Sequence, residues 1–191
     1  MNTPAHVAIN LFMLGQKPAG TACHPRAAAI VAGAVLPDLA MIGFYAWHLA
    51  RGTAEAQIWS VEYYRPAWQA WFDSFNSIPI VLLLMLLTWR TRRYLWLALF
   101  SSMLLHLLCD LPVHHDDAHR HFFPFSDCRF ASPVSYWDPA HHGYWFGLFE
   151  IGIVTGALVY LWRREVVLRP WAAATAAVYL AYLGYVMMVW A

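Results

Sequence analysis

Met103-Leu104-Leu105-His106-Leu107-Leu108-Cys109-Asp110-Leu111 is an apolar run interrupted by one imidazole and one carboxylate, and it decides how the chain is read. The run has the composition of a helix in lipid, where every backbone polar group must be satisfied within the segment. His106 and Asp110 are four positions apart, so on a helix they project from the same face. There they can hold one ion between them or hydrogen-bond one another. Ionisable side chains inside such a segment are costly and by default mark a site.

The rest of the chain agrees with a membrane reading. Hydrophobic residues make up 61% of the 191 positions and charged residues 12%, against about 45–50% apolar content in ordinary soluble domains. Crossing a hydrocarbon layer of roughly 30 Å takes about 20 mostly apolar residues in a helix. The stretches 27–50, 68–89, 94–111, 143–162 and 170–191 approach that length. The opening stretch, 4–15, is too short to cross alone and reads as a half-helix packed on the bundle or lying at the interface. A turn-prone connector from Gln16 to Arg26, with Pro18, Gly20 and Pro25, follows it. The expected fold is therefore all-α: a polytopic membrane helical bundle of about five spans plus a short N-terminal half-helix. Residues 1–191 form a single membrane-embedded domain, with no repeat period and with a His/Asp-rich loop at 112–142.

A net charge of +1 with scattered arginines gives no basic surface for nucleic acid. Cys23, Cys109 and Cys128 imply no disulfide framework. The N-terminus lacks the charged start of a secretory signal, and His6 and Asn10 interrupt its apolar residues, so it is read as retained. Arg90, Arg92 and Arg93 in one turn and Arg163, Arg164 and Arg169 in another, with Lys17 and Arg26, place those ends in the cytoplasm. Arg51, Arg65, Arg120 and Arg129 then lie outside, together with residues 51–67 and 112–142. Trp59, Tyr63, Tyr64, Trp68, Trp137, Tyr144 and Trp145 suit that water–lipid boundary.

Imidazoles and carboxylates, the ligand set of zinc and similar divalent ions, crowd the stretch from His106 to His142. His114, His115, Asp116, Asp117, His119 and His121 follow the helical pair, then Asp127, Asp138, His141 and His142. Loop histidines can fold back to complete a metal site begun on a helix, or can simply be solvated. Asp38, after Pro37 and well inside the first apolar stretch, needs a partner or a cavity, or caps a helix restarting past the proline. Asp73 and Asn76 share one face near the outer end of the second span and either join the pocket or serve interface polarity. Thr3 as N-cap and Pro4 in the first turn start the half-helix and put His6 one turn in. Glu150 falls about two turns into the fourth span and is expected to face inward.

Thr3-Pro4-Ala5-His6, Gly33-Ala34-Val35-Leu36-Pro37-Asp38, His106-Leu107-Leu108-Cys109-Asp110 and His121-Phe122-Phe123-Pro124-Phe125, in that order, resemble the bacterial membrane-bound metal-dependent hydrolase family, the YdjM-like inner-membrane proteins. The resemblance covers residues 3 to about 160. It implies a multi-span helical protein of the bacterial inner membrane with His6, Asp38, His106, Asp110 and His121 as metal-site residues. Where members carry a histidine before a serine at the start of the second span, this chain has Phe75-Asn76-Ser77, and asparagine is the poorer ligand. A more distant likeness is to zinc-dependent phospholipase C, also helical and built around a His-x-x-x-Asp pair. Its later His-x-x-x-Glu pair is missing, since Phe146 stands four residues before Glu150.

The functional expectation is a membrane-bound metal-dependent hydrolase. A divalent metal ion, zinc by preference, would activate water against a phosphoester of a lipid or lipid-linked substrate drawn from the bilayer. Asp116 or Asp117 is the expected general base, and His114, His119 or His142 the leaving-group acid. The alternative is a non-enzymatic membrane protein, either a metal-ion carrier or a structural partner in an assembly. One conflict stands in the helix lengths: Asp38 lies about 12 residues, roughly 18 Å, below the outer end of its span, whereas His106 is shallow. The two share an ion only if the helix beyond Asp38 protrudes or the bundle holds a deep cavity.

Overall fold

The computed structural model describes residues 1–16 and 26–190, and every regular element within them is helical. These are α1 (Thr3–Leu14), α2 (Ala27–Ala50), α3 (Pro66–Phe75), α4 (Ile78–Arg90), α5 (Tyr94–Asp110), α6 (Gly143–Arg164) and α7 (Arg169–Trp190), joined in part by short helical turns. Four helical stretches are long and apolar enough to cross a membrane, and α3 with α4 makes a fifth if the bent pair counts as one. Residues 17–25 of the expected connector, with Lys17, Pro18, Gly20, Cys23 and Pro25, lie outside the described residues.

The single span expected over 68–89 is two helices meeting at 43°. Asn76 ends α3, and the Ser77 side chain caps α4 by accepting from the Ile80 amide, with Pro79 in the first turn. The bend leaves backbone groups that the 112–142 loop satisfies. Ile78 donates its amide to the His121 carbonyl at 2.9 Å, and the Ser77 hydroxyl donates to the Phe123 carbonyl.

α1 is the hub of the bundle and packs against α2, α5, α6 and α7. Val7 and Leu11 bury themselves against Ile30 and Ala34 of α2, Leu161 of α6, Leu168 in the turn before α7, and Ala172 in the first turn of α7. Ala5 and Ala8 meet Val154 of α6 and Tyr179 of α7. The cap of α1 is Asn2, whose side-chain oxygen accepts from the Ala5 amide, so Thr3 is the first helical residue and its hydroxyl is free for another partner. Outward faces remain apolar, with Leu82, Leu83, Leu86 and Leu87 of α4 and Leu180 of α7 exposed. Water-soluble monomers rarely present apolar surface on that scale.

α2 and α5 run in the same direction and touch closely. Ser102 donates its hydroxyl to the Ile30 carbonyl at 2.5 Å, and one turn further along both helices His106 donates Nδ1–H to the Ala34 carbonyl at 2.7 Å. Gly33 makes this approach possible, because a Cβ there would sit 2.1 Å from the Leu99 carbonyl oxygen. With that register, Asp38 stands level with the end of α5. The helix continues through Pro37 to Ala50, so Asp38 caps no restart. Its last 12 residues, roughly 18 Å, extend past α5 and pack through Ala40 and Phe44 against Ile58 and Phe72. The conflict of depths is thus removed by a helix that outreaches its neighbour.

Candidate metal centre

Three ligand atoms, one each from His6, His106 and Asp110, lie within 4.8 Å of one another in the interior of the bundle. The His6 Nε2 is 2.9 Å from Asp110 Oδ1, and the His106 Nε2 is 2.9 Å from Asp110 Oδ2. Both imidazoles are fully buried. Asp38 Oδ1 approaches His106 Nε2 to 3.7 Å from α2, its side chain 28% exposed, and its Oδ2 accepts the Thr3 hydroxyl. Donors held about 2.0–2.2 Å from zinc sit roughly 3.3 Å apart in a tetrahedron. The observed spacings bracket that value.

The tautomer of His106 carries the electrostatic argument. Its Nδ1 faces a main-chain carbonyl, which can only accept, so Nδ1 carries a proton and Nε2 is the ring atom turned toward two carboxylates. In a neutral His106 that atom sets a lone pair against the carboxylate lone pairs, which is repulsive in a buried setting unless a proton or a metal ion lies between them. The His106 Nε2 and the His6 Nδ1 are both buried without a hydrogen-bond partner. The two rings also stack, with centroids 3.6 Å apart and planes 15° from parallel, a spacing at which two imidazolium ions would repel. An Nδ1–H fixed by a backbone carbonyl is the usual support of a metal-ligating histidine.

His114 follows the end of α5 and lies between two acids, its Nε2 3.4 Å from Asp110 Oδ1 and its Nδ1 3.0 Å from Asp117 Oδ2. Burial opposes its charge, but Asp110 and Asp117 outweigh that and raise its pKa to about 9. Burial likewise works against the Asp117 anion, which His114 and the Trp137 indole hold below the usual range. His119 is the opposite case: burial first, then the charges of His114 and His121, lower it to about 3, so it is neutral.

Asp38, Asn76, His114, Asp117 and His119 line a cavity of about 100 Å³, walled by Tyr63, Phe72 and Tyr136. It adjoins the cluster through Asp38 and His114. The Met1 amine also reaches Asp110 Oδ1, at 2.7 Å.

Of the residues expected at the site, His6, Asp38, His106 and Asp110 converge. His121 does not join them; it is buried beside α3 and donates Nδ1–H to the Asn76 carbonyl at 3.1 Å. Asp116 and His142 are exposed and make no hydrogen bond or ion pair to the cluster. Asp73, fully buried, accepts from the Arg120 amide at 2.9 Å and from Arg120 Nε at 2.5 Å, and so fastens the loop to α3. Asn76 faces the cavity, and Glu150 is buried as expected. The Ala34 carbonyl, the Thr3 hydroxyl and Tyr136 were not anticipated. Of these, the Thr3-Pro4 start alone left a trace in the sequence.

No family model, curated protein or solved structure matches the chain.

Proposed function

We propose that this chain is a membrane-bound, metal-dependent hydrolase whose divalent ion, zinc by preference, is held by His6, His106 and Asp110 with Asp38 as a further donor. One observation carries the reading. The His106 Nε2 is turned toward Asp110 and Asp38, buried and without a hydrogen-bond partner, while Nδ1–H is committed to Ala34. A cation belongs in that gap, and the two-histidine, carboxylate donor set suits zinc. The motif resemblance to the YdjM-like inner-membrane hydrolases supports the same assignment.

Such an ion, when bound, supplies an acidified water and polarises a phosphoryl or carbonyl oxygen. The chain's own groups supply the rest. The neighbouring cavity takes the scissile group, and Asp38 and Asn76 border it from α2 and α3. His114, cationic near neutral pH, is the proton donor to the leaving group, and Asp117 holds its Nδ1. Neutral His119 borders the cavity as a hydrogen-bonding group, too weak a base at a pKa of about 3 to take a proton from water. Phe72, Tyr63 and Tyr136 keep bulk water out. The arginine-rich turns favour the outer side for the cavity and the motif resemblance favours a bacterial inner membrane, a setting in which a lipid or lipid-linked phosphoester is the natural substrate.

The test is hydrolysis of phosphoester and lipid substrates by the detergent-purified chain, run beside zinc flux in liposomes. Cleavage that stops in His114→Ala and Asp38→Ala is the expected outcome. Ion flux without cleavage would instead make the chain a carrier.

A further inference from the structure

We infer that Glu150 is the positioning residue of the metal centre: by gripping Asn2 at the head of α1 it sets the rotation of that helix and so the place of His6. This rests on the metal-centre reading and adds to it a residue that touches neither ion nor substrate. Glu150 lies seven positions after the start of α6, roughly 10 Å along it, and is 6% exposed. An isolated carboxylate there is costly, so its partners reveal its role. Asn2 donates its amide to Oε2 at 3.2 Å and its side-chain nitrogen to Oε1, and the Tyr179 hydroxyl donates to Oε1 at 3.3 Å. Asn2 passes the constraint on. Its side-chain oxygen accepts from the Ala5 amide at 3.1 Å, and its carbonyl accepts from the His6 amide at 3.2 Å.

α1 needs such a hold because a helix of 12 residues is marginal by itself. A slip of one residue would turn His6 by roughly 100° away from Asp110. Thr3 bonded to Asp38 clamps the same turn from the α2 side, so the first turn of α1 is fixed between two carboxylates. Losing an outer-shell support of a metal ligand typically lowers metal affinity 10–100-fold.

The experiment is a zinc titration of the full chain in detergent against a competing chelator, with helix content checked by circular dichroism. Glu150→Ala is expected to bind zinc about tenfold more weakly or worse. Glu150→Gln, which keeps one acceptor for Asn2, should fall between it and the parent. Tyr179→Phe, which removes a bond to Glu150 without touching Asn2, should match the parent. Asn2→Ala breaks the grip from the other side and should weaken zinc in the same direction, even if Glu150→Ala does not fold. Parental affinity in Asn2→Ala or in folded Glu150→Ala overturns the inference, as does a loss in Tyr179→Phe equal to that in Glu150→Ala. A parent that binds no zinc, or binds it equally well as His106→Ala/Asp110→Ala, overturns the centre itself and this inference with it.

Discussion

His6 and Asp110 are 104 positions apart in the chain and 2.9 Å apart in space. The contact joins α1, at 12 residues too short to cross a bilayer, to the C-terminal end of α5, which with the turn after it is long and apolar enough to do so. Substituting Asp110→Asn keeps the shape and removes the anion on which both histidines converge. Zinc affinity should fall by about 100-fold or more by chelator competition, since the carboxylate nearest both histidines is lost, whereas Asp38→Asn, farther from His106 and partly exposed, should lose about tenfold. Equal losses in the two variants would contradict the ranking of donors argued from distance.

The approach of α2 to α5 at Gly33 is a second place to press. In Gly33→Ala the new methyl meets the Leu99 carbonyl and the Ser102 Cβ, at 2.1 and 2.8 Å, so the backbones must separate. Overpacking of this kind costs about 1–3 kcal/mol. The Ala34 carbonyl would recede from His106 as well. A lower melting temperature together with weaker zinc binding is expected; a stable variant with parental affinity would show that the register of these helices does not set the site.

How much of this was legible in the residues differs by element. The apolar runs announce α2, α5, α6 and α7 because helix length and hydropathy are local properties, and the four-residue spacing of His106 and Asp110 announces the core of the site. The bend at Asn76 and Ser77 was missed because its open backbone groups, the Asn76 carbonyl and the Ile78 amide, are satisfied by His121, more than forty residues later. The support of His106 by Ala34 left no trace at all, since a main-chain carbonyl is common to every residue. The apparent depth conflict of Asp38 came from treating spans as equal rods, and it dissolves once α2 is allowed to extend past α5.

Asp73 ties the long loop to the bundle through Arg120, with Arg129 3.5 Å away. Removing this buried acceptor leaves the Arg120 amide without its partner, while the Arg120 guanidinium keeps Asp127, at a cost of about 1–3 kcal/mol. Asp73→Ala should therefore lower the melting temperature and expose residues 112–142 to protease at a rate the parent does not show. Unchanged proteolysis would mean that the loop's other contacts, among them those to Asn76, Ser77 and Ile78, suffice to hold it.

His114 gives the metal-stripped protein a pH signature. Its folded pKa of about 9 lies above the ordinary 6.5, so its stabilisation is complete below 6.5 and drains away as pH rises to 9. The whole contribution is at most about 3 kcal/mol. Melting temperature should fall across that window in the parent and stay flatter in His114→Gln. Parallel curves would remove the ion pairs with Asp110 and Asp117 from the account.

The most direct measurement is metal content by mass spectrometry of the detergent-purified chain, parent beside His106→Ala/Asp110→Ala. The account predicts a stoichiometric divalent ion, zinc foremost, in the parent and its loss from the double variant. A folded parent without metal after exposure to zinc, or equal metal in both proteins, would contradict it.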